Sequence, residues 1–300
     1  MDTVSLIRQA IKEDLGSGDH TSLATIPPRA KGRAVLVAKE DGIVAGIDVA
    51  ETVYKLISPK TVFVPFKKDG DPIVEGDRVF EVSGSSRHIL AAERLSLNYI
   101  QHMSGIATHT RQLVEKIKSI GSSTVLLDTR KTTPNNRIFE KTAVRIGGGS
   151  NHRFGLFDMI LIKDNHIDFA GGATEALKKT SAYLANYPAK KNLSLRVEIE
   201  VRTMEELQEV LKWGEGNPNG LHRIMLDNFT PSKLKEALAV IAHRYETEAS
   251  GGITEKNILK YAETNVDFIS VGALTHHIKS LDLSLKSVSA LTHQLDLSLK

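Results

Sequence analysis

The feature that most constrains this chain is a rhythm that sets in at Val125. Short apolar runs at residues 125–127, 159–162, 195–201, 224–226, 247–249 and 268–271 are separated by stretches of helical periodicity. Strand alternating with helix implies parallel pairing through βαβ units, because parallel neighbours need a crossover long enough to hold a helix. The crossovers are signposted by their starts. Thr203 with Glu206 fits a capping box, Thr230 is followed by Pro231 at the first helical position, and Thr254 precedes another periodic run. Arg130, Lys163, Glu200, Asp227, Ser250 and Gly272 sit at or just after the ends of the apolar runs, 22 to 37 residues apart. Distinctive polar residues recurring once per βα unit are the pattern of a (β/α) barrel with its site at the C-terminal strand ends. Six strands are found rather than eight, so the barrel is either incomplete or contains strands that the apolar pattern does not show.

The first part of the chain has a different texture. Leu6, Ile7, Ala10 and Ile11 recur at helical spacing before Gly16, which predicts a helix over residues 3–15 followed by a polar loop. Short β-like runs follow at 34–38, 62–66 and 78–82, and helices are expected over 89–103 and 106–120. Residues 1–105 therefore read as a small α+β domain, 106–286 as the α/β barrel, and 287–300 as a tail. The tail, SVSALTHQLDLSLK, repeats SVGALTHHIKSLDLSLK of residues 270–286, with Ser289 in place of Gly272. Two copies fall short of a solenoid, so a peripheral duplication is the expectation.

Composition removes several classes. The chain has no cysteine, which excludes disulfides, thiolate nucleophiles and cysteine-ligated metal sites. Its longest purely apolar run, residues 237–242, is far shorter than the roughly 18 residues a membrane helix needs. The N-terminus is acidic and periodic rather than signal-like, so the expected compartment is the cytoplasm. With 39 basic and 36 acidic residues the net charge is only +3, and aromatic residues are 5%, so neither a nucleic acid nor a membrane is an expected partner.

The densest site signal lies in residues 128–166, where DTRKTTPNNR, GGGSNHRFG and LIKDNH follow one another. Arg130, Lys131, His152, Arg153 and Lys163 are the cations placed beside strand ends, glycines or loops, and together they imply a local positive field for an anionic ligand. Arginines hold carboxylates or phosphates by paired hydrogen bonds, and lysines act as point charges. Glu140, Lys141 and Arg145 read as the solvated face of a connecting helix. Gly147, Gly148 and Gly149 suit either a close backbone approach to ligand or a helix C-cap.

Glu198 and Glu200 alternate with apolar residues and so face the same side of one strand, which in a barrel is the interior. Buried carboxylates there need cations or a metal. Glu200 with Asp227 suits Mg²⁺ through oxygen ligands, and ion pairing to Lys131 or Lys163 is the alternative. At Ser250-Gly251-Gly252 and at Gly272-Ala273 a strand gives way to a small-residue turn and a helix start. That is a phosphate-binding arrangement, or simply a tight βα turn.

Taken in order, EDLGSGDHTS, ERLSLNYIQHMSGIAT, DTRKTTP, GGGSNHR, LIKDNH, VEIEV, MLDNF, EASGG and SVGALT resemble the quinolinate phosphoribosyltransferase family over nearly the whole chain. The resemblance implies an N-terminal α/β sandwich domain and a C-terminal incomplete barrel of the type II phosphoribosyltransferase kind. It also implies a homodimer with shared sites, in which Arg94 of ERLSLN serves the neighbouring subunit. The implied reaction joins quinolinate to phosphoribosyl pyrophosphate with Mg²⁺, giving nicotinate mononucleotide, pyrophosphate and carbon dioxide in NAD synthesis. Arg130 and Lys131 match the TRK pair, His152 and Arg153 the NHR pair, and Lys163 the lysine before DNH. Glu200 and Asp227 match the acidic ribose and metal positions, and Ser250, Gly251, Gly252 and Gly272 the phosphate loops. The family pattern ends near the first DLSLK, so residues 287–300 are additional. The rival expectations are a relative acting on nicotinate or another acid, and a binding protein without catalysis.

Overall fold

The computed structural model describes residues 2–186 and 195–288, and its two units do not follow sequence order. Of the described residues, the first unit takes 2–111, 132–148 and 274–288, and the second takes 112–131 and 149–273. The strands, in chain order, are β1 (Lys31–Ala38), β2 (Gly42–Ile43), β3 (Val62–Pro65), β4 (Pro72–Ile73) and β5 (Arg78–Ser85) in the first unit. The second unit holds β6 (Val125–Leu127), β7 (Ile160–Ile162), β8 (Val197–Val201), β9 (Arg223–Asp227), β10 (Glu246–Ser250) and β11 (Phe268–Ser270). The last strand, β12 (Leu283–Ser287), returns to the first unit.

In the first unit β12, β1, β5 and β3 form an antiparallel sheet in that order. The last five residues of β1 are all buried, so its two-residue alternation is lost. Helix Ile47–Ile57 turns Ile47, Ala50, Val53 and Tyr54 inward, three and four residues apart. Tyr54, Phe63 and Phe80 form an aromatic cluster, with the two phenylalanine rings 4.5 Å apart. Burying each such side chain is worth about 1.5–3 kcal/mol. The first DLSLK copy supplies β12, and Ala34 pairs with Ser287 at one end of the ladder and Ala38 with Leu283 at the other. That pairing is why the chain beyond Leu274 belongs with the first unit rather than with the barrel that precedes it in sequence. The second copy of the repeat lies outside the described residues beyond Val288.

Three local expectations are corrected. The polar segment after Gly16 contains a short helix, His20–Thr25, whose start is fixed by Asp19 accepting the Ser22 N–H at 3.0 Å. The helices expected over 89–103 and 106–120 are one helix, Ser86–Ser119, which runs through Ser104 and Gly105 without a break. A Cβ on Gly105 would collide with the Lys279 carbonyl oxygen, so this glycine serves close packing rather than termination. Glu140 and Lys141 are buried, not on a solvated face. Glu140 accepts the Thr133 N–H at 3.1 Å and faces His102 Nε2 at 3.1 Å, which ties residues 133–140 to the long helix within the first unit. Gly147 caps helix Arg137–Ile146, and a Cβ there would meet the Ala107 carbonyl oxygen at 2.6 Å.

The second unit is a six-stranded parallel sheet in the order β6-β11-β10-β9-β8-β7, with helices in the crossovers. The end strands β6 and β7 are neighbours in sequence but do not pair, as an incomplete barrel requires. Every residue of β8 is buried, the glutamates included. Thr203 accepts the Glu206 N–H at 3.2 Å and Thr230 accepts the Lys233 N–H at 3.4 Å, so both expected helix starts are capped. The Glu206 carboxylate binds Arg202 rather than completing the box, through the Arg202 N–H at 2.7 Å and its guanidinium. Among the described residues no helix is long and apolar enough to cross a membrane.

Candidate active site

The parallel strands end around one cavity of about 420 Å³ in the second unit. Arg130 and Lys131 reach it from the segment after β6, and His152 and Arg153 from the loop before β7. Lys163 follows β7 directly, Asp227 closes β9, Ser250 closes β10 with Gly251 and Gly252 beyond it, and Gly272 follows β11. Ten of the twelve residues singled out from the sequence thus line a single space. Glu200 is not on its wall but binds a residue that is: Lys163 Nζ donates to Glu200 Oε2 at 2.6 Å. Lys163 is one of the two lysines weighed as its partner. Arg94 lies in the first unit, exposed on helix Ser86–Ser119, and is not part of this wall.

The electrostatics follow from burial and like charge. Arg153 is partly buried and its guanidinium donates to the Met159 carbonyl at 3.2 Å. Burial first, and then the like charge of Arg130, pull its pKa below the ordinary arginine value. Two guanidiniums that repel each other beside two lysines form a site that an anion would relieve. The opposite sign lies on the floor. Asp227 Oδ1 accepts from Ser250 Oγ at 2.5 Å and its Oδ2 accepts from Asn228 Nδ2 at 2.6 Å, so its carboxylate is held in place.

The turn after β10 differs from the expectation in one respect. Helix Ile258–Ala262 begins several residues beyond Gly252 and is only five residues long, and helix Ala273–His276 has four. Neither supplies a helix dipole of any size. The turn itself carries the geometry, since Gly251 and Gly252 both have positive φ, at 85° and 62°, and a Cβ on Gly251 would run into Asn228.

The sequence reading missed Thr129, Glu248 and Ser270 on the cavity wall, and Arg223 behind it. Glu248 precedes Ser250 by two residues on β10 and so shares its face, a signal that period-two alternation carries. Glu198, Glu248 and His152 converge: His152 Nε2 is 3.0 Å from Glu198 Oε2 and 3.5 Å from Glu248 Oε2. Burial is the main cause that raises both carboxyl pKa values to about 7.

An incomplete parallel barrel with four cations around a pocket at its strand ends defines an α/β barrel protein built to hold an anionic ligand. The chain matches the family described as quinolinate phosphoribosyl transferase, C-terminal domain, over residues 106–286 and the corresponding N-terminal domain over residues 19–104. It is 45% identical over 295 residues to the chloroplastic nicotinate-nucleotide pyrophosphorylase [carboxylating] of Oryza sativa subsp. japonica, covering 95% of this chain and 77% of that protein. It is 39% identical over 285 residues to the probable nicotinate-nucleotide pyrophosphorylase [carboxylating] of Bacillus subtilis, covering 93% of this chain and 91% of that one. The solved structure of the nicotinate-nucleotide pyrophosphorylase from Francisella tularensis superposes with a TM-score of 0.85 at 38% identity, covering 95% of both chains. This chain belongs to the quinolinate phosphoribosyltransferase family.

Proposed function

We propose that the protein transfers the phosphoribosyl group of phosphoribosyl pyrophosphate to quinolinate with decarboxylation. The products are nicotinate mononucleotide, pyrophosphate and carbon dioxide, a step of de novo NAD synthesis. The observation that carries this reading is the gathering of Arg130, Lys131, Arg153 and Lys163 around one cavity above the strand-end acids. Quinolinate brings two carboxylates and phosphoribosyl pyrophosphate about five negative charges, which only concentrated positive charge can hold together.

In this reading Arg130 and Arg153 hold the pyridine dicarboxylate, and Lys131 and Lys163 face the phosphates and ribose. The ring nitrogen attacks the ribose C1 as the bond from C1 to the pyrophosphate oxygen breaks. Positive charge developing at C1 is stabilised by Glu200 and Asp227. Carbon dioxide then leaves the ring carbon next to the quaternised nitrogen. The electron pair it leaves behind is stabilised by that nitrogen, and a proton takes the vacated position.

Glu200 and Asp227 offer hard carboxylate oxygens, the donor chemistry Mg²⁺ takes alongside phosphates, and they are the residues that would hold it. Bound there, Mg²⁺ would neutralise charge on the departing pyrophosphate. Gly252, where a Cβ would meet nothing within 4 Å, leaves backbone open to a phosphate group, and the Lys131 side chain packs over Gly272. Arg94, exposed on its helix, completes the site of a second subunit in a homodimer. The compartment that goes with this reading is the cytoplasm.

The test is direct. Purified protein given phosphoribosyl pyrophosphate, Mg²⁺ and either acid is expected to release carbon dioxide and form nicotinate mononucleotide from quinolinate. Conversion of nicotinate but not quinolinate overturns the substrate, and tight binding without product overturns the catalysis.

A further inference from the structure

Two residues of the cavity wall, His152 and Glu248, belong to a group of ionisable side chains that the proposed reaction does not use. Glu198 on β8 and Glu248 on β10 are fully buried, and Arg223 on β9, the strand between them, is 8% exposed. Arg223 Nη1 donates to Glu248 Oε2 at 2.9 Å, and Arg223 is the register partner of Glu198. His152 faces both carboxylates through Nε2, and the three side chains stand close enough to ligate one metal ion. A guanidinium already bonded to Glu248 supplies positive charge there and repels a second cation, so the group reads as an ion-pair network.

The other edge of the imidazole fixes its proton. Nδ1 of His152 accepts the backbone N–H of Arg153 at 2.7 Å. A backbone amide can only donate, so Nδ1 carries no proton. A single ring proton then sits on Nε2, 3.0 Å from Glu198 Oε2 and 3.5 Å from Glu248 Oε2. The main chain at this point is held as firmly. Asp128, fully buried, accepts the His152 N–H at 2.8 Å through Oδ1 and Asn151 Nδ2 at 2.5 Å through Oδ2.

We propose that His152 is a positioning residue and not the cationic substrate ligand expected from the sequence. Its neutral ring is strung between the Glu198–Glu248 pair and the Arg153 main chain, and so sets where the Arg153 guanidinium stands. The proposal rests on the reading that Arg153 holds a carboxylate of the acid substrate. It also corrects the count of cations at the site, because His152 contributes no charge to it.

Two measurements test it. The first is nitrogen NMR of the intact protein labelled with ¹⁵N-histidine at about pH 7, with and without quinolinate. The His152 signals are assigned by their loss in His152→Asn or, where that variant fails to fold, in His152→Gln. The expected spectrum is that of a neutral ring protonated at Nε2 in both states, and an imidazolium spectrum in either state overturns the proposal. This readout needs no turnover, so it stands or falls apart from the proposed reaction. The second compares variants that each keep one edge of the ring. Asparagine places an acceptor near Nδ1, and glutamine a donor near Nε2. His152→Gln is expected to raise the KM for quinolinate about tenfold more than His152→Asn, with the KM for phosphoribosyl pyrophosphate the same in both. An equal rise in the two variants is the result expected of a charged ligand and would overturn the positioning role.

Discussion

Lys163 Nζ donates to Glu200 Oε2 at 2.6 Å, joining the residue just after β7 to the neighbouring parallel strand β8, 37 residues apart in sequence. The glutamate side chain is 6% exposed and the lysine side chain 45%, so the lysine reaches from the cavity down to a carboxylate that water scarcely touches. A ligand anion entering the cavity competes for the same ammonium. Glu200→Gln keeps the shape and removes the charge, and is expected to lower kcat about 10²- to 10³-fold in steady-state assays. Lys163→Met leaves the buried carboxylate without its partner and is expected to lower the unfolding temperature. Adding Glu200→Gln to it is expected to restore part of that loss, because the double variant no longer buries an uncompensated charge.

Arg130 is exposed and lines the cavity. Arg130→Ala is therefore expected to keep its unfolding temperature and lose most turnover. Removing a charged contact of this kind costs about 2–5 kcal/mol, which is roughly a 30-fold to several-thousand-fold fall in kcat/KM. Near-normal activity in the folded variant would exclude Arg130 from the site.

The barrel was legible because parallel strands buried on both faces must be apolar runs, and all six appear at the expected places. The site was legible for a related reason, since its residues sit at the ends of those runs. What escaped sequence reasoning depended on distant partners. Glu140 reads as a surface charge until His102, 38 residues away, is seen beside it. Ser104-Gly105 reads as a break until the chain at Lys279 is found packed against the glycine. Arg223 begins its strand and looks like a solvated end, yet it is the counter-charge that lets Glu248 lie in the interior. Local pattern reports periodicity and strand ends well, but it carries no record of which charges burial will bring together.

Glu248 makes the stability of the fold depend on pH in a definite direction. Burial, reinforced by the like charge of Glu198, raises its carboxyl from the ordinary 4.5 to about 7. Between those values the folded state binds more protons than the unfolded state, so stability falls as pH rises through this window and levels off above it. Glu198 shifts the same way. Glu248→Gln removes one of the two groups. Its unfolding temperature is expected to decline less steeply than that of the wild type from about pH 5 to about pH 7.5. Parallel curves for the two proteins would place the Glu248 pKa near its ordinary value in the folded state.

Arg94 and Lys131 test whether sites are shared between subunits. Arg94 is exposed in the first unit and absent from the cavity wall, while Lys131 lies on that wall. If each site of a homodimer takes Arg94 from one subunit and Lys131 from the other, Arg94→Ala and Lys131→Ala are each inactive alone. A hybrid dimer then has one site lacking both residues and one site with both intact. Unfolding and refolding an equal mixture gives hybrids as half of all dimers, so activity is expected to return to about a quarter of the wild-type value. Mixing without subunit exchange is the control and is expected to give none. If the refolded mixture stays as inactive as its components, each subunit builds its site from its own residues, and Arg94 acts elsewhere.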